Sequence, residues 1–337
     1  MAKPSYQSLV EDPALLNPEV SQKRRIELIK KIEAVTKRRL LVYVAKGDAS
    51  LTPEDKTGFS DLIEGVSEED VDVLINSPGG FAEVTESIVG MLRAKFKTVR
   101  FIVPNSAKSA ATLLALSGNQ ILMDSRSELG PIDPQLSYMT RHGRKQEAAE
   151  AITEGFKAAK EALMKEGPSA TPAYLPLLEQ YTIGLLQACA NARKLSEKLA
   201  TDWLTEYMFN GDGTLTPAIV QYFASHSDTL SHGRAIRKEK CQELKMDIVD
   251  LDVQENHTLR DLIWKLWCYY ELHLERALTV SKVYENSSGC SIQKMSTQIQ
   301  IIAQPAPAPQ PQQPGMPPKK PNPLPGLPGT PFPGKAH

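Results

Sequence analysis

The sequence is poor in cysteine, in long apolar runs and in any excess of one charge. Its four cysteines, Cys189, Cys241, Cys268 and Cys290, stand far apart with no C-x-x-C pair. That spacing argues against a zinc ribbon and a disulfide framework and fits a reducing compartment, so the thiols are read as having no role. Nowhere do about 18 uncharged apolar residues run together, and the opening MAKPSYQSLVEDPALLNPEV lacks the apolar core of a signal peptide. A soluble, unexported, cytoplasmic protein with no transmembrane segment is expected. Lys and Arg number 39 against 40 Asp and Glu, which leaves no overall pull toward nucleic acid or an anionic membrane. No nucleic-acid partner is expected. There is also no G-x-x-x-x-G-K-[S/T] loop and no G-x-G-x-x-G at a strand-to-helix turn. Phosphate-loop and dinucleotide sites are therefore not expected, and no cofactor or metal is read from the chain.

What is present is a stretch from Val71 to Gln135 around which the rest is organised. It holds three short β-branched apolar runs, each but the last followed by a glycine- or serine-rich turn and a helical pattern. The first turn is Asn76-Ser77-Pro78-Gly79-Gly80, and the second puts Ser106 and Ser109 where a helix begins after Val99–Pro104. Free N–H groups at two such turns on neighbouring parallel strands converge on one oxyanion, with a serine hydroxyl beside them. That pattern points to acyl transfer.

Along the chain, 337 residues suffice for a sizeable core. Residues 1–20 carry Pro4, Pro13 and Pro18 and read as an irregular arm. Ser21–Arg39 reads as an amphipathic helix capped by Ser21, and Leu40–Ala45 as a strand covered on both faces. Thr52–Glu69 reads as polar surface with one helical turn at Asp61–Ile63. Strands are expected at Val71–Asn76, Val99–Pro104, Gln120–Met123 and Met246–Val253. Helices are expected at Ala82–Lys95, Ser106–Leu116, Arg141–Gly167, Leu175–Phe209, Thr216–Ser227, Ser231–Leu244 and Thr258–Glu285. The aromatic stripe of the last helix suits a core or a subunit interface. Three parts follow from the arm onward: a catalytic domain over 21–255, an interface helix over 256–300, and a disordered Pro-rich tail over 301–337. The tail reads first as inert and second as a ligand for a proline-recognising partner.

At Asn76–Gly80, Ser106–Ala111 and Leu129–Gln135 the chain resembles the ClpP-class serine proteases, and more narrowly the serine dehydrogenase proteinase family, relatives of signal peptide peptidase A. The shared pattern is SPGG, then AKSAxTLxAL, then LGPIDPQ, and it covers about residues 65–140. The resemblance implies a ClpP/crotonase-like α/β spiral of ββα units with a mostly parallel sheet, to which C-terminal helices are added here. It also implies a peptide or protein substrate and a homo-oligomer. Many relatives carry an N-terminal membrane segment that is not found here, which leaves peripheral membrane attachment open. By that match Ser109 is the nucleophile, and Gly79 and Gly80 with the Ala110 amide form the oxyanion hole. Ser106, three residues earlier, reads as the helix cap.

The base is less legible. ClpP uses a histidine about 25 residues after its serine, whereas Asp133 and prolines stand there in this chain. Signal peptide peptidases pair the serine with a lysine, which must be desolvated to act near neutral pH. Lys108 adjoins Ser109, but successive helical side chains diverge by about 100°, so it points away. Lys160 lies nearer the apolar stripe of its helix than Lys157 does, at a separation from the serine similar to that in some signal peptide peptidases. Lys160 is preferred, ahead of Lys157 and Lys145. His232, in Ser-His-Gly, is the base if the chain uses a triad. The expected activity is a serine endopeptidase with a Ser–Lys dyad. The alternatives are a catalytically inactive assembly or binding protein on the same fold and, by fold analogy alone, acyl-CoA chemistry.

Overall fold

The computed structural model describes residues 5–140 and 143–296. Its strands are β1 (Arg39–Ala45), β2 (Asp70–Asn76), β3 (Thr98–Ile102), β4 (Ser106–Ala107), β5 (Gln120–Met123), β6 (Glu128–Leu129), β7 (Gln135–Thr140), β8 (Gly143–Ala148), β9 (Ile248–Asp250), β10 (Val280–Asn286) and β11 (Ser291–Met295). The main sheet runs β11-β10-β1-β2-β3-β5-β9. From β1 to β9 its neighbours are parallel, and the β10–β11 pair joins antiparallel at the β1 side. The fold is thus mixed α/β with a mostly parallel sheet, as read from the sequence.

The helices are α1 (Ser5–Val10), α2 (Pro18–Thr36), α3 (Asp55–Ile63), α4 (Ala82–Lys95), α5 (Ala110–Leu116), α6 (Ala149–Glu166), α7 (Thr171–Leu178), α8 (Ile183–Trp203), α9 (Thr216–Ala224), α10 (His226–Thr229), α11 (Lys238–Glu243) and α12 (His257–Arg276). Because side chains alternate along a strand, a run of apolar residues must be covered on both faces. In β1, Leu41 and Tyr43 enter a core shared with Phe59, Ile88 and Leu114, while Leu40, Val42 and Val44 enter a second core with Ile29, Leu266 and Tyr270. Each fully buried aliphatic side chain contributes ~1.5–3 kcal/mol. The sheet is therefore held from both sides, by α3, α4 and α5 on one face and α2 and α12 on the other.

A second, small layer of strand pairing carries the site. Ser77 bridges Ala107, β4 pairs with β6, and Leu129 bridges Ile236. This layer ties together the loops that leave β2, β3 and β5, and brings in a loop more than a hundred residues further on.

Several segments differ from the sequence reading. Residues 5–16, read as irregular, hold α1 and a short 3-10 turn at Pro13–Leu16. Helix α2 starts at Pro18 rather than Ser21, because Asn17 Oδ1 accepts the Glu19 N–H at 2.9 Å and a proline is tolerated in the first turn. Thr52–Glu69 is not all surface, since α3 buries Phe59 and Leu62. The segment after Pro134 is a β7–β8 hairpin, and helix begins only at Ala149. Helix α12 stops at Arg276, and Val280–Asn286 becomes β10, paired with β1 and buried at every position. The α12 stripe is filled by the chain's own α2 and sheet. The Pro-rich tail over 301–337 lies outside the described residues.

Candidate active site

Ser109 stands between β4 and α5 with φ 52° and ψ −122°, and its side chain makes no capping hydrogen bond. A non-glycine residue in that region costs ~1–3 kcal/mol and persists only where its neighbours over-determine it. Lys108 supplies one restraint: its N–H donates to Ser77 O at 3.0 Å, and its Nζ reaches Glu128 Oε2 at 3.0 Å and Leu129 O at 3.1 Å. Helix α5, buried at every position, supplies the other. Ser109 lines a cavity of about 310 Å³. Ser106 is not the helix cap; it lies in β4, with its N–H donating to Asn76 Oδ1 at 3.0 Å.

The glycines lie against the serine. Gly79 has φ 94°, and a Cβ added there would meet Lys108 O at 2.4 Å and Ser109 Cβ at 2.8 Å. Its own N–H donates to Ser77 Oγ at 3.2 Å. The N–H groups of Gly80 and Ala110 have no acceptor among the described residues, and both residues line the cavity with Ser109. An unsatisfied amide beside a serine hydroxyl is a ready donor for an oxyanion.

Opposite these, His232 also lines the cavity. Its Nδ1 lies 2.7 Å from Asp133 Oδ1, and the Asp133 side chain is 2% exposed. The other carboxylate oxygen has His226 Nδ1 at 3.2 Å and accepts from Gln135 Nε2 at 3.2 Å. A carboxylate accepts and does not donate, so Nδ1 carries the proton and Nε2 is left as the acceptor. The Asp–His pair is assembled by the small layer. Leu129 and Ile236, each four residues from its partner of the pair, exchange backbone hydrogen bonds at 2.9 Å. Ile132 N–H, next to Asp133, donates to Phe223 O at 2.8 Å.

The lysines stand elsewhere. Lys160 is exposed on α6, Lys157 faces Glu154 at 3.7 Å, and Lys145 on β8 faces Glu147 at 3.8 Å. None of the three lines the cavity. The sequence reading named His232 only as a second choice and assigned Asp133 no role. The available signals were the acid inside LGPIDPQ and a histidine turn that interrupts a helical pattern; their proximity depends on a backbone bridge that no local pattern encodes.

No thiol competes for the nucleophile's role. Burial pushes Cys241 up to about 12, and Cys268 and Cys290 each up to about 11.

Comparison with known proteins follows the same residues. Residues 52–149 match the family of ClpP-like SDH-type serine proteinases, which bears out the resemblance read from the three motifs. An uncharacterized protein of Methanocaldococcus jannaschii is 42% identical over 66 residues, spanning 20% of this chain and 23% of that protein. A second uncharacterized protein of the same organism is 28% identical over 124 residues, 34% of this chain and 42% of that protein. The chain thus spans less than half the length of these curated relatives. Among solved structures, a mutant of the membrane-bound stomatin-specific protease 1510-N is similar at 15% identity and TM-score 0.37, over 66% of this chain and 84% of that one. The ClpP catalytic domain of Plasmodium falciparum is similar at 12% identity and TM-score 0.35, over 66% of this chain and 89% of that one.

Proposed function

We propose that this protein is a serine endopeptidase in which Ser109 is the nucleophile, His232 the general base and Asp133 the residue that orients it. The observation that carries the reading is the 2.7 Å contact of His232 Nδ1 with buried Asp133, on a histidine that shares a cavity with Ser109. In this proposal the base moves from Lys160 to His232, since Lys160 is exposed and outside the cavity lining.

His232 Nε2 takes the Ser109 Oγ proton as the oxygen attacks a peptide carbonyl, and Asp133 stabilises the imidazolium that forms. The carbonyl oxygen becomes an oxyanion held by the Gly80 and Ala110 N–H groups. On collapse the imidazolium returns its proton to the leaving amine, leaving an acyl ester on Ser109. Water, activated by the same histidine, then releases the acid and regenerates the serine. Leu113, Ile132, Leu136 and Leu195 supply apolar wall to the cavity, which suits an apolar side chain beside the scissile bond.

Activity-based labelling tests this. A fluorophosphonate should modify the wild type at Ser109, and both Ser109→Ala and His232→Ala should abolish labelling and peptide hydrolysis. Labelling that survives Ser109→Ala would move the nucleophile elsewhere and overturn the reading, and a wild type that neither labels nor cleaves would overturn it in favour of a non-catalytic binding protein.

A further inference from the structure

The Gly79–Gly80 peptide is not held by its own strand and helix alone. Leu51, on the loop after β1, donates its N–H to Gly79 O at 2.6 Å and accepts the Phe81 N–H at 3.1 Å. A Cβ added to Gly80 would meet Leu51 O at 2.2 Å and Leu51 N at 2.4 Å, so the two backbones are in direct contact. Leu51 is therefore the outer support of the amide that faces the cavity.

The residues on either side of Leu51 are each tied down by a side chain. Ser50 O accepts from Lys282 Nζ at 2.7 Å, and Thr52 N–H donates to Asp55 Oδ2 at 2.7 Å. Lys282 and Asp55 pair with each other at 2.6 Å, with side-chain exposures of 8% and 0%. The Tyr284 hydroxyl donates to the other Asp55 oxygen, and Lys294 Nζ stands 3.6 Å from it. Lys282 and Tyr284 lie on β10, far outside the region matched to the proteinase family.

A buried ion pair adds little net stability compared with apolar residues of the same volume, so stability alone is a weak reason for this one. Each partner also bonds one of the two backbone positions that flank Leu51, Lys282 at Ser50 O and Asp55 at Thr52 N–H. We propose that Lys282 is a positioning residue for the oxyanion hole: through Ser50–Thr52 and Leu51 it fixes the peptide plane that presents the Gly80 N–H. It does not touch substrate. The inference rests on the serine-hydrolase reading above, and it makes the C-terminal strand pair part of the catalytic apparatus. Removing a whole oxyanion donor costs ~10²–10³ in kcat, and misaiming one costs a part of that.

The test uses the full chain as Lys282→Met, Lys282→Gln and Lys282→Arg, with Leu266→Ala as a destabilised control on the opposite face of the sheet. All are assayed where circular dichroism shows them folded. Lys282→Met should lower kcat by ~10–100-fold with KM little changed, and weaken a peptide boronic acid, whose adduct fills the oxyanion site, by a similar factor. Lys282→Arg should recover most of both, and Leu266→Ala should keep both. Amide exchange should rise over residues 49–52 and 77–82 in Lys282→Met and not in the control. If Lys282→Met does not fold, Lys282→Gln is read by the same criteria. Unchanged kcat and boronate affinity in the folded variant, or equal losses in the control, would overturn the inference. If the wild type shows no Ser109-dependent labelling, the hydrolase reading fails by itself, and exchange over 77–82 still decides whether Lys282 holds the loop.

Discussion

Leu129 and Ile236 exchange both backbone hydrogen bonds at 2.9 Å, and this single antiparallel bridge sets the His232 loop against the Asp133 loop. Asp133 and His232 thus lie at opposite ends of a long segment made of a hairpin and helices. That segment is itself tied to the site, since Phe223 O accepts the Ile132 N–H and Leu195 and Ser196 line the cavity.

The two candidate bases separate cleanly by mutation. His232→Ala should reduce kcat by ~10³-fold or more, as loss of a base in a cooperating set does, while Lys160→Ala should leave kcat and KM unchanged. Steady-state hydrolysis of a peptide library member checks both; the opposite pattern would restore the lysine dyad.

Asp133→Asn keeps size and burial but replaces an acceptor with a group that can also donate. The wrong histidine tautomer should then be favoured, and kcat should fall by ~10²–10⁴-fold with KM changing far less. Thermal melts should show that the loss is not unfolding.

Gly80→Ala meets the Leu51 backbone, and Gly79→Ala meets both the Lys108 carbonyl and Ser109. With φ of 94° at Gly79, alanine there adds backbone strain of ~1–2 kcal/mol to an overlap worth ~1–3 kcal/mol. Both variants should be inactive to a fluorophosphonate, and the Gly79→Ala protein should unfold at lower urea concentration.

Arg25 and Glu285 pair at 2.8 Å with both side chains fully buried, and Tyr270 donates to the same carboxylate at 2.6 Å. Arg25→Met removes one partner and strands the other, so unfolding free energy should drop by ~3–5 kcal/mol. Replacing Arg25 and Glu285 together by apolar residues should recover much of that in a urea titration.

Cys241 and Cys268 are buried and their thiols are pushed up by desolvation. Iodoacetamide at neutral pH should therefore label neither in the native protein and should leave hydrolysis intact. Mass spectrometry of the alkylated, then denatured protein checks this; loss of activity on alkylation would implicate a thiol.

The turns around Ser109, the proposed nucleophile, were legible because they are local. Asn76–Gly80 and Ser106–Ala111 each encode a strand-to-helix turn within a few residues, and the apolar runs of β1, β2 and β3 carry their burial in their composition. The hairpin at β7–β8 was missed because β8, GRKQEA, is polar almost throughout, and β7 offers only Leu136 and Tyr138 as an apolar face, too short an alternation to mark a strand pair. The end of α12 was missed because Ala277, Val280 and Tyr284 continue the three- and four-residue spacing of the helical stripe beyond the point where the helix stops.

The sequence by itself thus determined the parallel core, the two glycine and serine turns, and the place of Ser109 just before a helix. Only the tertiary structure decided which residues share a cavity with that serine. His232 meets Asp133 through a bridge between residues far apart in the chain, and Lys282 reaches the Ser50 carbonyl, next to the residue that holds the Gly79–Gly80 turn, because β10 folds back beside β1. Contacts of that separation are selected by the packing of the whole sheet, and no spacing within a helix or strand records them.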